Sequence, residues 1–208
     1  LVIAIGVVSA AANWGNALQF LMPHEKVSAA ELRANDDPLG GSFITVSGST
    51  GADGGYTTLG SAFAAINANA VQTGNTIIIS VTADTTESTT AVLNAGDWAS
   101  ITISPSGGAA RTISGAIPAG SPLIDFNGAD NVTIDGLATG GNSLVISNTT
   151  ASATSGTSTI RFIGGATNNT ITTTTILGSF AASISTNGGN IFFSTDANTP
   201  NGNDNNTI

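Results

Sequence analysis

Three aspartates that lie close together in the sequence are its best candidates for acid-base chemistry: Asp125, Asp130 and Asp135. Glycoside hydrolysis needs two carboxyl groups, roughly 5 to 10 Å apart, that flank the scissile bond of one sugar. The residue pattern predicts Asp125 and Asp135 within short strands and Asp130 just before a turn asparagine. Such positions are more typical of solvated strand faces and turn caps, so we favour that structural interpretation over a catalytic one.

A run of threonines suggests a different kind of surface chemistry. In "NNTITTTTI" the alternation places Thr170, Thr172 and Thr174 on one face of a strand. A flat array of threonines on stacked strands is the geometry by which ice-binding proteins contact ice. Threonine is also favourable on any exposed strand, so ice binding is the lesser of the functional alternatives.

Metal, cofactor and nucleic-acid sites are not predicted. The chain has no cysteine and one histidine, His24, which leaves no second residue of either kind to complete a metal site. We therefore predict no bound metal and no cofactor. The 13 acidic residues against four Lys and Arg residues give a net charge of −9. Phosphate backbones are bound by clustered basic residues, so nucleic acid is excluded as a partner, and an acidic polysaccharide meets the same repulsion.

The first 22 residues form a separate apolar segment without an ionisable side chain. Three interpretations of residues 1–22 stay open: a secretory signal peptide, a retained apolar helix packed against protein, and a membrane anchor. Asn13, Asn16 and Gln19 make the membrane anchor the weakest of the three. Residues 23–41, which include His24, are predicted as a polar linker or short helix.

An amphipathic helix is predicted in "GGYTTLGSAFAAINANA". Leu59, Phe63 and Ile66 lie at helical spacing on one apolar face that continues to Ala70. Either of the two threonines before Leu59 can cap the first turn. Strand after strand follows this helix, so its single apolar face is suited to closing the open end of stacked strands.

A four-residue phrase recurs at a fixed interval after this helix. "NVTI" ends at residue 134, and "NNTI" ends at residues 171 and 208, so the steps are 171 − 134 = 37 and 208 − 171 = 37. An earlier segment, "DWASITI", places Ser100 and Ile101 at a looser step of 33 before Thr133 and Ile134. The repeat residues are Asn131, Thr133, Ile134, Asn168, Thr170, Ile171, Asn205, Thr207 and Ile208.

The equal step predicts an all-β fold, a right-handed parallel β-helix (solenoid) over residues 42–208. Each strand would pair in parallel with its counterpart one repeat later, and alternate apolar side chains such as Val132 and Ile134 would fill the interior. The recurring asparagine would adopt left-handed backbone angles and hydrogen-bond to the next repeat through its side chain. An antiparallel sandwich shares the alternation but gives no reason for an equal step.

The repeat phrases carry a resemblance to a known family. "GGYTTLGSAFAAIN", "NVTIDGL", "TSTIRFIGGATNNTI" and "GNDNNTI" resemble the secreted right-handed parallel β-helix proteins of the pectin-lyase-like group, in the form common in large surface proteins of Bacteroidetes-type bacteria. The resemblance implies an N-terminal helical cap and export from the cell. The group includes carbohydrate-active enzymes and noncatalytic adhesins. Its lyases use an Arg or Lys base with calcium-binding acids; Arg111 and Arg161 are available here, but no DxDxDG cluster accompanies them.

These features favour an exported cell-surface protein with a structural or adhesive role. Ile208 falls early in a repeat, so we expect the β-helix to be incomplete at its C-terminus, and its open end and the apolar N-terminal segment could join copies head to tail into extracellular filaments. The alternative is a fragment of a carbohydrate-binding or carbohydrate-cleaving β-helix enzyme. Expected partners are further copies of the chain and a glycan or cell-surface ligand, with membrane contact only during export.

Overall fold

The computed structural model describes residues 41–69, 71–181, 186–195 and 202–208. The chain divides into two compact units, Leu1–Asp36 and Asp37–Ile208. The described residues all belong to the second unit. The expectations for the apolar segment 1–22 and for the polar linker fall outside the described residues, except for residue 41. Ala70, at the end of the predicted helical face, also falls outside them.

The described part of the chain is mostly β-structure with one helix. The helix is α1 (Leu59–Ala68). The strands are β1 (Ile44–Ser47), β2 (Gly54–Tyr56), β3 (Thr76–Val81), β4 (Thr85–Glu87), β5 (Ala91–Asn94), β6 (Ser100–Pro105), β7 (Ala110–Gly115), β8 (Pro122–Asn127), β9 (Val132–Asp135), β10 (Ser143–Ser152), β11 (Ser158–Ile163), β12 (Thr170–Thr172), β13 (Thr174–Phe180) and β14 (Gly189–Phe193).

These strands form three sheets. Sheet 1 has the order β12-β9-β6-β3-β1-β2, sheet 2 the order β13-β10-β7-β4, and sheet 3 the order β14-β11-β8-β5. From β3 to β11 each strand pairs in parallel with the third strand after it. The antiparallel pairs are those of β1 with β2 and with β3. Parallel pairing through the body of the structure excludes the antiparallel sandwich.

The 37-residue step corresponds to strand pairing in sheet 1. Thr133 pairs with Thr170 and Ile134 with Ile171 in parallel register, and Thr170 forms a parallel bridge with Thr207. Parallel strands in register place equivalent side chains above one another. The parallel pairing that the equal step predicts is therefore present.

The earlier repeat at "DWASITI" has a different register from the one predicted. Ile134 pairs with Ile103, a separation of 134 − 103 = 31, and Thr133 pairs with Thr102. The predicted step of 33 from Ile101 is wrong. A slip of two residues keeps every side chain on its own face of the sheet, so alternation alone could not choose between the two registers.

Inward-facing aliphatic and aromatic side chains build the core between the sheets. Ile79, Ile103 and Ile134 are fully buried on sheet 1. On sheet 3 the rings of Phe126 and Phe162 lie 5.3 Å apart between centroids, and those of Phe162 and Phe193 are stacked at 4.9 Å. Because apolar and polar residues alternate along the strands, the apolar side chains face a shared interior. Like side chains on neighbouring strands stack there in columns.

Helix α1 covers one end of this core. Leu59, Phe63 and Ile66 are buried, as their spacing predicts, and Thr58 caps the helix with a reciprocal bond to Ser61. The helix packs against β1, β2, β4 and β5. The last two are edge strands of sheets 2 and 3, so α1 shields strand edges that would otherwise be open to pairing.

Candidate functional site

Asp125 forms a bidentate ion pair with Arg161 on the outer face of sheet 3. The guanidinium donates from Nε to Oδ1 at 2.9 Å and from Nη2 to Oδ2 at 2.6 Å. The Asp125 side chain is 7% exposed and that of Arg161 is 24% exposed. The bond from Asp125 raises the pKa of Arg161 above its already high value. Their positions correspond in consecutive repeats, a signal from which the pair could have been predicted.

Asp130 holds the turn of the next repeat. Its Oδ1 accepts hydrogen bonds from the backbone N–H of Thr167 at 2.6 Å and from the Thr167 hydroxyl at 2.9 Å. Its backbone carbonyl accepts from the indole Nε1 of Trp98 at 2.7 Å, one repeat earlier. Asp130 therefore joins three successive repeats by hydrogen bonds at one corner.

Asp135 stabilises the corner where the chain leaves sheet 1. Its Oδ1 accepts from the backbone N–H of Leu137 at 2.8 Å and from the Thr173 hydroxyl at 2.6 Å. Leu137 and Thr173 both have left-handed backbone angles, with φ of 61° and 49°. The carboxylate bonds offset part of the strain that such angles impose on residues with a side chain.

The three candidate aspartates are thus divided between different parts of the fold. Asp125 lies on β8 in sheet 3, Asp135 on β9 in sheet 1, and Asp130 in the connection between them. Each binds a different residue of the following repeat. Within the described residues, no group of three or more His, Cys, Asp or Glu is placed to hold a metal ion.

Arg111, the other arginine in the repeat region, is held by a local bond. Its Nε and Nη2 donate to the backbone carbonyl of Ser106 at 3.2 Å and 3.1 Å. This geometry pins the start of β7 to the preceding turn. No carboxylate accepts from Arg111 in the part of the chain that the structure describes.

The recurring asparagines occupy the left-handed turn position as predicted. Asn131, Asn168 and Asn205 have φ of 58°, 57° and 56°. The bonds between repeats come instead from the next residue, whose role the recurring pattern does not reveal. Asn169 is buried; its Oδ1 accepts from Val132 N–H at 2.8 Å and its Nδ2 donates to the Ala129 carbonyl at 2.9 Å. The prediction that the first asparagine makes these bonds was wrong.

Asn206 repeats this arrangement one step further along the chain. Its Oδ1 accepts from the Asn169 N–H at 2.9 Å, and its Nδ2 donates to the carbonyls of Ala166 and Asn203, both at 2.9 Å. The equivalent position in the earlier repeat is Val132, which is buried. The doubled asparagine of "NNTI" therefore has two uses: the first residue turns the chain and the second joins adjacent repeats.

The predicted threonine face of "NNTITTTTI" is split by a corner. Thr170 and Thr172 lie on β12 in sheet 1, whereas Thr174 begins β13 in sheet 2. Thr173, with its left-handed angle, lies between them. The expectation of one face holding all three is wrong, because alternation along a strand cannot reveal where that strand ends.

A different threonine array runs across the strands of sheet 1. Thr102, Thr133 and Thr170 pair in register on successive strands, and Thr207 continues the row. Apart from Ile78 and Asp135, every outward residue of β1, β3, β6, β9 and β12 is Ser or Thr. These residues, the hydroxyl face, are Thr45, Ser47, Thr76, Ser80, Ser100, Thr102, Ser104, Thr133, Thr170 and Thr172.

A small cavity lies between the end of α1 and the residues that precede β6. Its volume is about 90 Å³, and Asn67, Gln72, Asn94 and Trp98 are among its lining residues. Pockets for drug-sized ligands span roughly 300 to 1,000 Å³. Asn67 already bonds to the backbone of β5 through both of its side-chain polar atoms. The cavity is therefore best explained by the packing of the helix end.

Comparisons with known proteins identify no relative of this chain. No family model, no curated protein and no solved structure matches it. Among the described residues, no helix combines the length and apolar character needed to span a membrane.

Proposed function

We propose that residues 42–208 form a right-handed parallel β-helix whose N-terminal end is closed by α1, and that the protein is an exported structural or adhesive component of a cell surface. The observation that carries the proposal is that, from β3 onward, successive strands belong in turn to sheets 1, 2 and 3 and pair in parallel within each sheet. Right-handed crossovers are strongly preferred between parallel strands. A repeating stack of this kind extends in one dimension, which suits a rigid surface structure.

The use of the charged residues supports a structural role. The three candidate aspartates bind the following repeat rather than a common cleft. The buried Asn169 binds the preceding repeat through its amide. These polar groups add to the bonds between repeats, so they stabilise an elongated stack. A catalytic pair would instead be expected to converge on one substrate.

Assembly into filaments would use apolar side chains on β13 and β14, which are edge strands among the described residues. Phe193, in column with Phe162, is 47% exposed, and Leu177 on β13 is 48% exposed. Edge strands offer unpaired backbone groups to another chain. A head-to-tail contact between copies at this end does not close a ring and generates a filament.

Electron microscopy and sedimentation of the purified chain test the assembly proposal. Filaments or large concentration-dependent species are expected, and Phe193→Asp should disrupt them. Val71→Asp is the matched control, because Val71 is 69% exposed but lies just after α1. Only small monodisperse particles at all concentrations would contradict filament formation.

The alternative carbohydrate-active role has a separate assay. Incubation with neutral and acidic polysaccharides, followed by a reducing-sugar measurement, should give no activity above background. Release of sugar that is abolished by Asp125→Asn or Asp135→Asn would overturn the structural proposal. Export is tested independently by expressing the full chain with a C-terminal tag and locating the tag by cell fractionation.

A further inference from the structure

We propose that the hydroxyl face of sheet 1 binds ice. This activity depends neither on export nor on filament assembly. It rests on the spacing, the free hydrogen-bonding capacity and the charge of that face. Each of these properties can be compared with those of sheets 2 and 3 in the same molecule.

The hydroxyl face is regular in two directions. Adjacent strands of a sheet lie about 4.8 Å apart, and outward residues along a strand recur about every 6.6 Å. Thr102, Thr133 and Thr170 follow the first spacing, and Thr170 and Thr172 follow the second. The oxygen atoms on the surface of an ice crystal also form ranks with short repeats in two directions. A rigid array of this kind can therefore contact many lattice positions at once.

The hydroxyl groups on this face are free to bond to water. None of the Ser and Thr side chains of the hydroxyl face hydrogen-bonds to another group of the described protein. By contrast, Thr167 and Thr173, which lie at corners, both donate to aspartates. Each free hydroxyl can donate one bond and accept two, while the threonine methyl groups keep part of the face apolar.

The charge of the face suits an uncharged partner. On β1, β3, β6, β9 and β12, Asp135 is the one ionisable residue of the hydroxyl face. The Oδ1 of Asp135 is already bonded to Leu137 and Thr173. A charged side chain orders water around itself in a shell that does not fit the lattice of ice. The near absence of charge leaves the hydrogen-bond pattern of the hydroxyls to organise the adjoining water.

The other two sheets lack this regularity. Most outward positions of sheet 2 are also Ser or Thr, but Val145 and the 48% exposed Leu177 interrupt them. Those of sheet 3 include Phe192 and the Asp125–Arg161 ion pair. Among the described sheets, sheet 1 alone carries an uninterrupted threonine row across three paired strands, although Ile78 and Asp135 also lie on its outer face.

A neutral polysaccharide is less well matched to the same face. Carbohydrate and other small-molecule sites usually include aromatic side chains against which the ligand packs. The outward positions of β1, β3, β6, β9 and β12 contain no aromatic residue. Ordered water needs only a periodic set of donors and acceptors, which this face provides.

The test measures thermal hysteresis and inhibition of ice recrystallisation by the full chain. The unchanged protein should show both activities and should be taken up into a growing ice front. Thr133→Lys, at the centre of the face, should abolish thermal hysteresis while circular dichroism shows a folded protein. Thr175→Lys is the matched control, since Thr175 is an exposed threonine on the outer face of sheet 2; it should retain full activity.

Two results would overturn the proposal. One is the absence of ice activity in the unchanged, folded protein. The other is an equal loss of activity in Thr133→Lys and Thr175→Lys, which would show no role specific to sheet 1. Binding to insoluble cellulose or chitin without ice activity would assign the face to a neutral polysaccharide instead. Because the readouts do not require filaments, they are independent of the assembly experiment.

Discussion

Arg161 holds both carboxylate oxygens of Asp125, the residue directly opposite it on the neighbouring parallel strand. The same column continues to Val92 beside Asp125 and to Phe192 beside Arg161. A pair of opposite charges therefore lies within an otherwise apolar column. The Asp125 side chain is more buried than the Arg161 side chain.

This asymmetry predicts unequal effects of the two single substitutions. Arg161→Met leaves a buried carboxylate without its partner, and breaking a buried pair in this way costs about 3 to 5 kcal/mol. Asp125→Asn should cost less, because the more exposed guanidinium can bond to water. The free energy of unfolding from urea titrations measures both. Replacing both residues, Asp125→Val with Arg161→Met, should recover most of the loss; a double variant as unstable as the sum of the singles would contradict this.

Asn169 should be more important to stability than an exposed asparagine. Asn169→Ala leaves the Val132 N–H and the Ala129 carbonyl without their partners. Each buried polar group left unsatisfied costs about 1 to 3 kcal/mol. Chemical denaturation should show this loss, whereas Asn187→Ala, at an exposed position, should stay within about 0.5 kcal/mol of the unchanged protein. A loss of stability in Asn169→Ala as small as that in Asn187→Ala would show that the buried amide is dispensable.

Asn168 should tolerate glycine but not a β-branched residue. Its φ of 57° lies in the left-handed region, which costs most residues roughly 1 to 2 kcal/mol and suits glycine and asparagine. Asn168→Gly should therefore be nearly neutral, and Asn168→Val should lower the midpoint of thermal unfolding. The same pair of substitutions at Asn187 supplies the control. If Val and Gly were equally tolerated at position 168, the turn would be able to adopt another backbone conformation.

Glu87 should make the protein less stable as pH rises. It is buried on β4, and its Oε1 and Oε2 accept from the first N–H groups of α1, those of Leu59 at 2.7 Å and Gly60 at 3.0 Å. Burial raises the pKa of Glu87, although the bonds from Gly60, Leu59 and Thr85 oppose the shift. The folded state therefore binds the proton more tightly than the unfolded state. The resulting stability is present at pH values below the pKa that Glu87 has in the unfolded state. It is lost as pH rises through the higher pKa of Glu87 in the folded state.

Thermal unfolding at a series of pH values measures this contribution of Glu87. Relative to Glu87→Gln, the unchanged protein should gain stability as pH falls through the raised pKa. A difference in unfolding temperature between the two proteins that stays constant across that pH range would contradict the prediction. A pH-independent difference in addition to the pH-dependent one would reflect only the altered bond to Gly60.

The contribution of Asp97 to stability should have the opposite pH dependence to that of Glu87. It is exposed, and bonds from the Thr73 hydroxyl and the Gln72 N–H lower its pKa. Its contribution to stability is present above the unfolded pKa and is lost as pH falls through the lowered one. Asp97→Asn should remove that acid sensitivity, visible as a smaller fall in the unfolding midpoint on acidification. A steeper acid loss in the variant would show that the bonds at Asp97 do not favour its charged form.

Local features of the fold could be predicted where one chemical pattern has one structural solution. The apolar spacing of Leu59, Phe63 and Ile66 predicted α1, and the equal step between Ile134 and Ile171 predicted their parallel pairing. The corner at Thr173 was missed, because threonine is favourable in strands and gives no signal of a left-handed angle. The register of Ile103 was missed because a slip of two residues preserves the alternation.

The sequence by itself determined that strands repeat, that equivalent residues pair in parallel, and that a helix with one apolar face precedes them. These properties follow from periodicity, which is local and is written directly in the order of residues. Only the tertiary structure decided that Asp125 meets Arg161, that Asn169 rather than Asn168 joins the repeats, and that the hydroxyls of sheet 1 form one face. Each of these depends on which strands become neighbours, and that is set by how the whole chain packs its core.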